Sequence, residues 1–176
     1  RMQFALWREA MSMLENGAIV ESVLFDQGAA AAMKPGTLVI DMASIKPREA
    51  RDHAARLSAR GVAHLDAPVS GGTLGAEAGT LVIMVGGRPE EFTRAQPVFA
   101  VFGRATHVGP HGTGQLTKLA NQMIVGITIG AVAEALLLCE KGGANPARVK
   151  EAITGGFAYT LSLHDALPIS EERRVG

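Results

Sequence analysis

Lys118 is a cation set in an otherwise apolar run, and Asn121 follows it three residues later. At helical spacing the two side chains share one face. A lysine that loses water in such a setting favours its neutral amine, which moves its pKa towards a range useful for acid–base work. A lysine near a helix start also opposes the helix dipole, and an anionic substrate would compensate it. The plainer reading is a snorkelling lysine with a polar neighbour. Ser70, Gly71 and Gly72 close the motif DAPVSGG. A hydroxyl beside two glycines, whose main-chain amides lie open, can bind a carboxylate. The same glycines also suit a strand-to-helix turn that needs them for geometry alone. The five histidines, His53, His64, His107, His111 and His164, show no metal-ligand spacing, so no metal site is expected. Cys139 lies in apolar sequence and reads as a small core residue.

These residues need a scaffold, and alternating strands and helices supply one. Apolar runs at 37–42, 62–66 and 80–87 read as strands, and 105–109 as a shorter one. Residues 47–60 and 88–103 read as helices, each with proline near its start and glycine at its end. Residues 67–79 read as a glycine-rich connection. They contain GGTLGAEAG, which resembles a phosphate-binding glycine loop but is expected to precede a strand rather than a helix. The pattern implies βαβ units and a mostly parallel sheet, buried on both faces. Such sheets bind ligands at the carboxyl ends of their strands, here the loop after Leu14, residues 43–47, residues 67–75 and the loop entering the next helix.

From about Gln115 to Lys141 the sequence is one long apolar helix, and 145–156 another with Asn145 as N-cap. The stretch 119–139 is long enough to span a bilayer. Asn121, Gln122 and Glu134 inside it favour a buried helix of a soluble protein. Gly126 and Gly130, four apart, would then let another helix pack closely.

Composition narrows the function. Lysine plus arginine and aspartate plus glutamate number 17 each, so the net charge is zero. Neither nucleic acid nor an anionic membrane is an expected partner. The single cysteine excludes an internal disulfide and suits a reducing, cytoplasmic setting. With 47% hydrophobic and 19% charged residues, a packed core is feasible.

Three motifs in order, DMASIKP (41–47), DAPVSGGTLGAEAGTLVIMVGG (66–87) and GTGQLTKLANQ (112–122), resemble the β-hydroxyacid dehydrogenases over residues 13–158. The resemblance implies an α/β fold: a partial Rossmann-like parallel sheet over 1–112, then an interdomain helix and the start of an all-helical domain over 113–158. It implies hydride transfer between NAD or NADP and a small β-hydroxy acid or semialdehyde, of the 3-hydroxyisobutyrate or 2-hydroxy-3-oxopropionate type. Lys118 would be the catalytic acid or base. Ser70, Gly71 and Gly72 would hold the substrate carboxylate, and Asn121 would orient the substrate. Ser44 would line the nicotinamide side of the cofactor site, with Met13 and Leu14 beside its ribose. A homo-oligomer is also implied.

The departures are specific. No strand–G-x-G-x-x-G–helix unit opens the sequence. The strand before Met13 looks poor, because WREAMSML has a charged pair where an apolar run belongs, and residues 1–12 read as doubtful. Residues 159–176 can be encoded by a stretch followed by its own reverse complement, in the manner of a sequencing-library adapter. They are therefore expected to be non-native. A truncated chain of this kind would be inactive alone. The competing expectation is a non-catalytic carboxylate-binding module or a gene-prediction remnant.

Overall fold

The computed structural model describes residues 8–154, which form two compact units dividing between Leu119 and Ala120. The expectations for residues 1–7 and 159–176 lie outside the described residues.

The first unit is an α/β domain. Its elements are β1 (Glu9–Ser12), α1 (Gly17–Glu21) running into a π-helical turn (Ser22–Asp26), α2 (Ala29–Ala32), β2 (Leu38–Asp41), α3 (Pro47–Ser58), β3 (Ala63–Asp66), β4 (Val69–Ser70), α4 (Gly72–Glu77), β5 (Leu81–Gly86), α5 (Pro89–Phe102) and β6 (Gly103–Gly109). Strands β1, β2 and β3 are parallel and in step, with Ser12, Asp41 and Asp66 level at their carboxyl ends. Strand β5 runs antiparallel to β3 and β4 and parallel to β6. The sheet is thus mostly parallel, but the apolar strand β5 owes only one of its two edges to parallel pairing.

All four residues of β2 are buried, because helices cover both faces of the sheet. Leu38 and Ile40 pack with Leu65, Ile83, Ala95 and Phe99 on the α5 side. Val39, one residue out of phase, packs with Val20, Leu24, Ala50 and Leu57 on the α1 and α3 side. Helix α3 starts at Pro47, and its Glu49 carboxylate accepts from the Lys46 N–H at 3.0 Å, which fixes the helix entry.

Three expectations from sequence need correction here. The strand before Met13 does form. The charged pair at 8–9 that argued against it is met from α5: Arg94 donates to the Arg8 carbonyl and Glu9 carboxylate, and to the Gly36 carbonyl at 2.7 Å. Ala10 meanwhile packs on the core. The stretch 67–79 is not a plain connection, since it holds β4 and α4. Gly71 turns the chain at φ 134°, where a side chain would be strained, and GTLGAE then coils into a short helix. GGTLGAEAG therefore contains a helix rather than only preceding a strand.

The third correction concerns the second unit. Helix α6 (Thr113–Lys141) begins in the first unit and continues into the second, followed by α7 (Pro146–Ile153), whose N-cap Asn145 accepts from Ala147 and Arg148. Helix α6 is long and apolar enough to cross a membrane. It was expected to be buried. Its only buried residues are Gly114 and Gln115, and Met123, Ile127 and Leu138 are exposed. Among the described residues nothing lies within 4 Å of a Cβ built at Gly126 or Gly130, so no helix fills that notch. Cys139 is half-buried rather than a core residue. Apolar residues surround α6 almost evenly, a pattern that calls for cover on every side, and among the described residues no element supplies that cover past the first turn.

Candidate functional site

The carboxyl ends of β1, β2 and β3 meet the first turn of α6. Asp41 ends β2 and is fully buried. Its Oδ1 accepts from Ser12 Oγ at 3.0 Å and from the Ala43 N–H at 3.1 Å. Its Oδ2 has no hydrogen-bond partner among the described residues. Burial pushes the Asp41 carboxyl up to about 6, against the pull of those two bonds and with a further push from the Asp66 charge.

Asp66 ends β3 and is also fully buried. It caps α6: Oδ1 accepts from the Gly112 N–H at 2.7 Å and Oδ2 from the Gln115 N–H at 3.0 Å. An acid at a helix start suits the helix dipole. Burial raises its pKa, and the two backbone bonds oppose that rise. The approach of helix to strand is close. A Cβ at Gly114 would lie 2.4 Å from the Asp66 carbonyl oxygen and 2.5 Å from that of Met84.

Gln115 completes the junction. Its side chain is buried, accepts from the Ile45 N–H at 3.0 Å and donates to the Ala43 carbonyl at 2.8 Å. These two residues flank Ser44, whose side chain stays exposed. One turn further along α6 is Lys118, half-buried. Loss of water around it is the cause that lowers its pKa. Among the described residues its Nζ forms no ion pair or hydrogen bond.

The residues singled out from sequence fall as follows. Met13 is exposed just past β1, and Leu14 packs against the cluster containing Ala43 and Ile45. Met13 and Ser44 thus follow the level ends of adjacent parallel strands. Ser70 lies on β4 opposite Val82, and Gly71 and Gly72 lead into α4. Asn121 belongs to the second unit, where its Nδ2 donates to Gln122 Oε1 at 3.0 Å. No hydrogen bond among the described residues joins Lys118 to Ser70 or to Asn121. Sequence reasoning passed over Ser12, Asp41, Asp66 and Gln115 as functional residues. The signal available was an acid at the end of each of two apolar strands, which marks a buried charge that must find partners.

The donor set suits a dinucleotide at the β1 and β2 ends. The exposed Met13 and Ser44 side chains there present an apolar group and a hydroxyl, chemistry compatible with a nicotinamide and its ribose, whereas the unpartnered Oδ2 of Asp41 is buried.

A helix-covered, mostly parallel sheet with polar residues gathered at its carboxyl ends is the architecture in which dinucleotide-binding α/β proteins hold their ligand. The family model described as the NAD binding domain of 6-phosphogluconate dehydrogenase matches residues 3–111, and one described as NAD-binding of NADP-dependent 3-hydroxyisobutyrate dehydrogenase matches residues 112–175. The chain belongs to the β-hydroxyacid dehydrogenase family. It is 49% identical over 146 residues to 2-hydroxy-3-oxopropionate reductase of Escherichia coli K12, covering 82% of this chain and 50% of that protein. It is 44% identical over 162 residues to 3-hydroxyisobutyrate dehydrogenase of Pseudomonas aeruginosa, covering 90% and 54%. The structure of Mycobacterium tuberculosis 3-hydroxyisobutyrate dehydrogenase with L-serine superposes with a TM-score of 0.83 at 36% identity, over 92% of this chain and 55% of that one. The chain spans about half the length of the curated relatives it matches.

Proposed function

We propose that the protein is an NAD- or NADP-dependent oxidoreductase acting on a small β-hydroxy acid or the corresponding semialdehyde, with 3-hydroxyisobutyrate and 2-hydroxy-3-oxopropionate as the substrates to try first. The observation that carries this reading is the junction itself: Gln115 and Asp66 seat the helix bearing Lys118 against the loop bearing Ser44. Ser44, Met13 and Leu14 would hold the nicotinamide end of the cofactor. That cofactor, when bound, accepts or supplies the hydride at the substrate carbon.

In the oxidising direction the substrate hydroxyl must lose its proton as its carbon loses hydride. Lys118 takes that proton on Nζ, and in the reducing direction returns it. A lysine whose pKa is lowered by burial holds more neutral amine at neutral pH and so serves better as a base. Ser70 Oγ and the amides of Gly71 and Gly72 would bind the carboxylate, and Asn121 would orient the hydroxyl. We read residues 1–112 as the cofactor-binding part and 113–158 as the interdomain helix and start of a helical part. The enzyme is proposed to be cytoplasmic and homo-oligomeric.

The test is turnover, followed as reduced nicotinamide, in the longer enzyme of which this chain is proposed to be part, with Lys118→Ala beside the unsubstituted form. Loss of a positioned acid–base group should lower kcat about 10²- to 10⁴-fold. Lys118→Arg should not restore it, because a guanidinium stays protonated. Undiminished kcat in Lys118→Ala would exclude this mechanism.

A further inference from the structure

We infer that Gln115 is a positioning residue that locks the roll of α6, and so holds Lys118 in a set orientation to Ser44. The inference rests on the reading of Lys118 and Ser44 given above. Asp66 alone cannot do this. Its bonds go to the backbone N–H groups of Gly112 and Gln115, which lie at the start of the helix and point roughly along its axis. Bonds of that kind fix where the helix begins and, even with Gly114 packed close to the strand, hold its roll less firmly than a side-chain anchor off the axis would.

The Gln115 side chain supplies the missing constraint, because it reaches sideways from the helix. It makes one bond as acceptor, from Ile45 N–H, and one as donor, to the Ala43 carbonyl. The paired bonds demand one orientation of the amide plane, and they grip the backbone on both sides of Ser44. A side chain held at two points off the helix axis resists rotation as well as translation. Lys118 is three residues further on, so its direction follows from that of Gln115 by the geometry of the helix. The burial of Gln115, against the partial exposure of Lys118, gives the lock a dry setting where its bonds are strong.

The chemistry of the amide suggests a reversible test. A glutamate at this position has the same shape. As a neutral acid it can still accept from Ile45 N–H and donate to the Ala43 carbonyl. As a carboxylate it cannot donate, and it faces the Ala43 carbonyl and the nearby carboxyl groups of Asp66 on β3 and Asp41 on β2. The nearby basic groups are Lys118 one turn along the helix, Arg51 of α3, which approaches Gly112, and His111 in the loop before the helix. Burial and the facing carboxyl groups raise the pKa of the introduced acid, and the basic groups oppose the rise. Gln115→Glu therefore locks at low pH and releases at high pH within one folded protein.

The experiment measures the rate at which Lys118 is acylated as a function of pH, by mass spectrometry, in the parent protein, Gln115→Glu and Gln115→Met. It needs no turnover and works on the chain as it is. With the lock broken, water should reach Lys118 and its titration should move up towards the ordinary lysine range in Gln115→Met. In Gln115→Glu the acylation profile should track the parent at low pH and Gln115→Met at high pH. Alongside, the active enzyme should lose kcat about tenfold or more in Gln115→Met with the KM for hydroxy acid little changed, as expected when a reacting group is misplaced. Identical Lys118 titration in folded parent and both variants would overturn the inference. Should Gln115→Met not fold, the pH dependence within Gln115→Glu decides alone. Absence of hydride transfer in the longer enzyme would sink the proposed function, while the Lys118 titration in this chain would still judge the lock.

Discussion

In the first unit neighbouring residues of β2 serve two buried clusters, whereas in the second Met123, Ile124 and Ile127 on α6 stand 66%, 65% and 69% exposed. Both stretches are apolar in sequence. The difference teaches that apolarity becomes burial only when geometry provides a matching surface. A strand sends alternate side chains to two faces, and helices within the same unit cover both. A long helix with apolar residues all round needs cover on every side, and the described residues do not supply it past the first turn.

The buried polar groups follow the same division. Among the described residues, Asp41, His53, His64, Asp66 and Glu91 are buried, and all belong to the first unit. Burial raises the carboxyl groups of Asp41 and Asp66 and depresses the imidazoles of His53 and His64.

The sharpest way to break the contrast is to delete one large side chain in each unit. Phe99→Ala removes a ring that is 1% exposed in the α5 cluster and should destabilise the first unit by about 3–5 kcal/mol. Met123→Ser should change stability by no more than about 0.5 kcal/mol. Urea unfolding of both variants checks this. Comparable losses would show that α6 is covered in solution.

The pH dependence of stability offers a finer comparison, because its buried sources lie in one unit. The Asp41 carboxyl is raised from 3.8 to about 6, so the folded state keeps its proton longer and stability falls as pH rises from about 4 to about 6. His64 is depressed from 6.5 to about 3, so the folded state refuses a proton that the unfolded state takes, and stability falls as pH drops from about 6.5 to about 3. The two slopes oppose each other where they overlap. Asp41→Asn keeps the acceptor for Ser12 and Ala43 and removes the first slope. Its stability relative to the parent should rise by up to about 3 kcal/mol on going from pH 4 to pH 7, because each tenfold change in proton affinity is worth about 1.4 kcal/mol. Urea midpoints across that range test it, and parallel profiles would exclude a buried, titrating Asp41.

The smallest effects come from glycines on the same helix. Gly114→Ala would put a methyl 2.4 Å from the Asp66 carbonyl oxygen and should cost about 1–3 kcal/mol, with α6 lifted from its cap. Gly126→Ala meets nothing within 4 Å and should gain up to about 1 kcal/mol from helix propensity. Thermal unfolding of the two distinguishes them. A loss at Gly126 would place another surface against that notch.

Much of the fold was legible because it is local. Apolar runs, Pro47 and Pro89 near helix starts, Asn145 as a cap and the length of α6 all depend on residues within a turn or two of one another. The order of three motifs also sufficed to mark the family. Local reading failed where a distant group supplied the explanation. The charged pair at 8–9 looked unfit for a strand because Arg94, far along the sequence, is its partner.

The sequence by itself determined most of the strands and helices, though not β1, β4 or α4, and which side chains are available for chemistry. Only the tertiary structure decided that β5 turns antiparallel to β3, that α6 stays exposed, and that Asp66 and Gln115 join the helix to the strand ends. Asp66 reaches Gly112 across 46 residues, and Gln115 reaches Ile45 and Ala43 across 70 and 72. Local propensity carries no information about such partners. They are selected when packing removes water from a polar group and leaves it one place to bond.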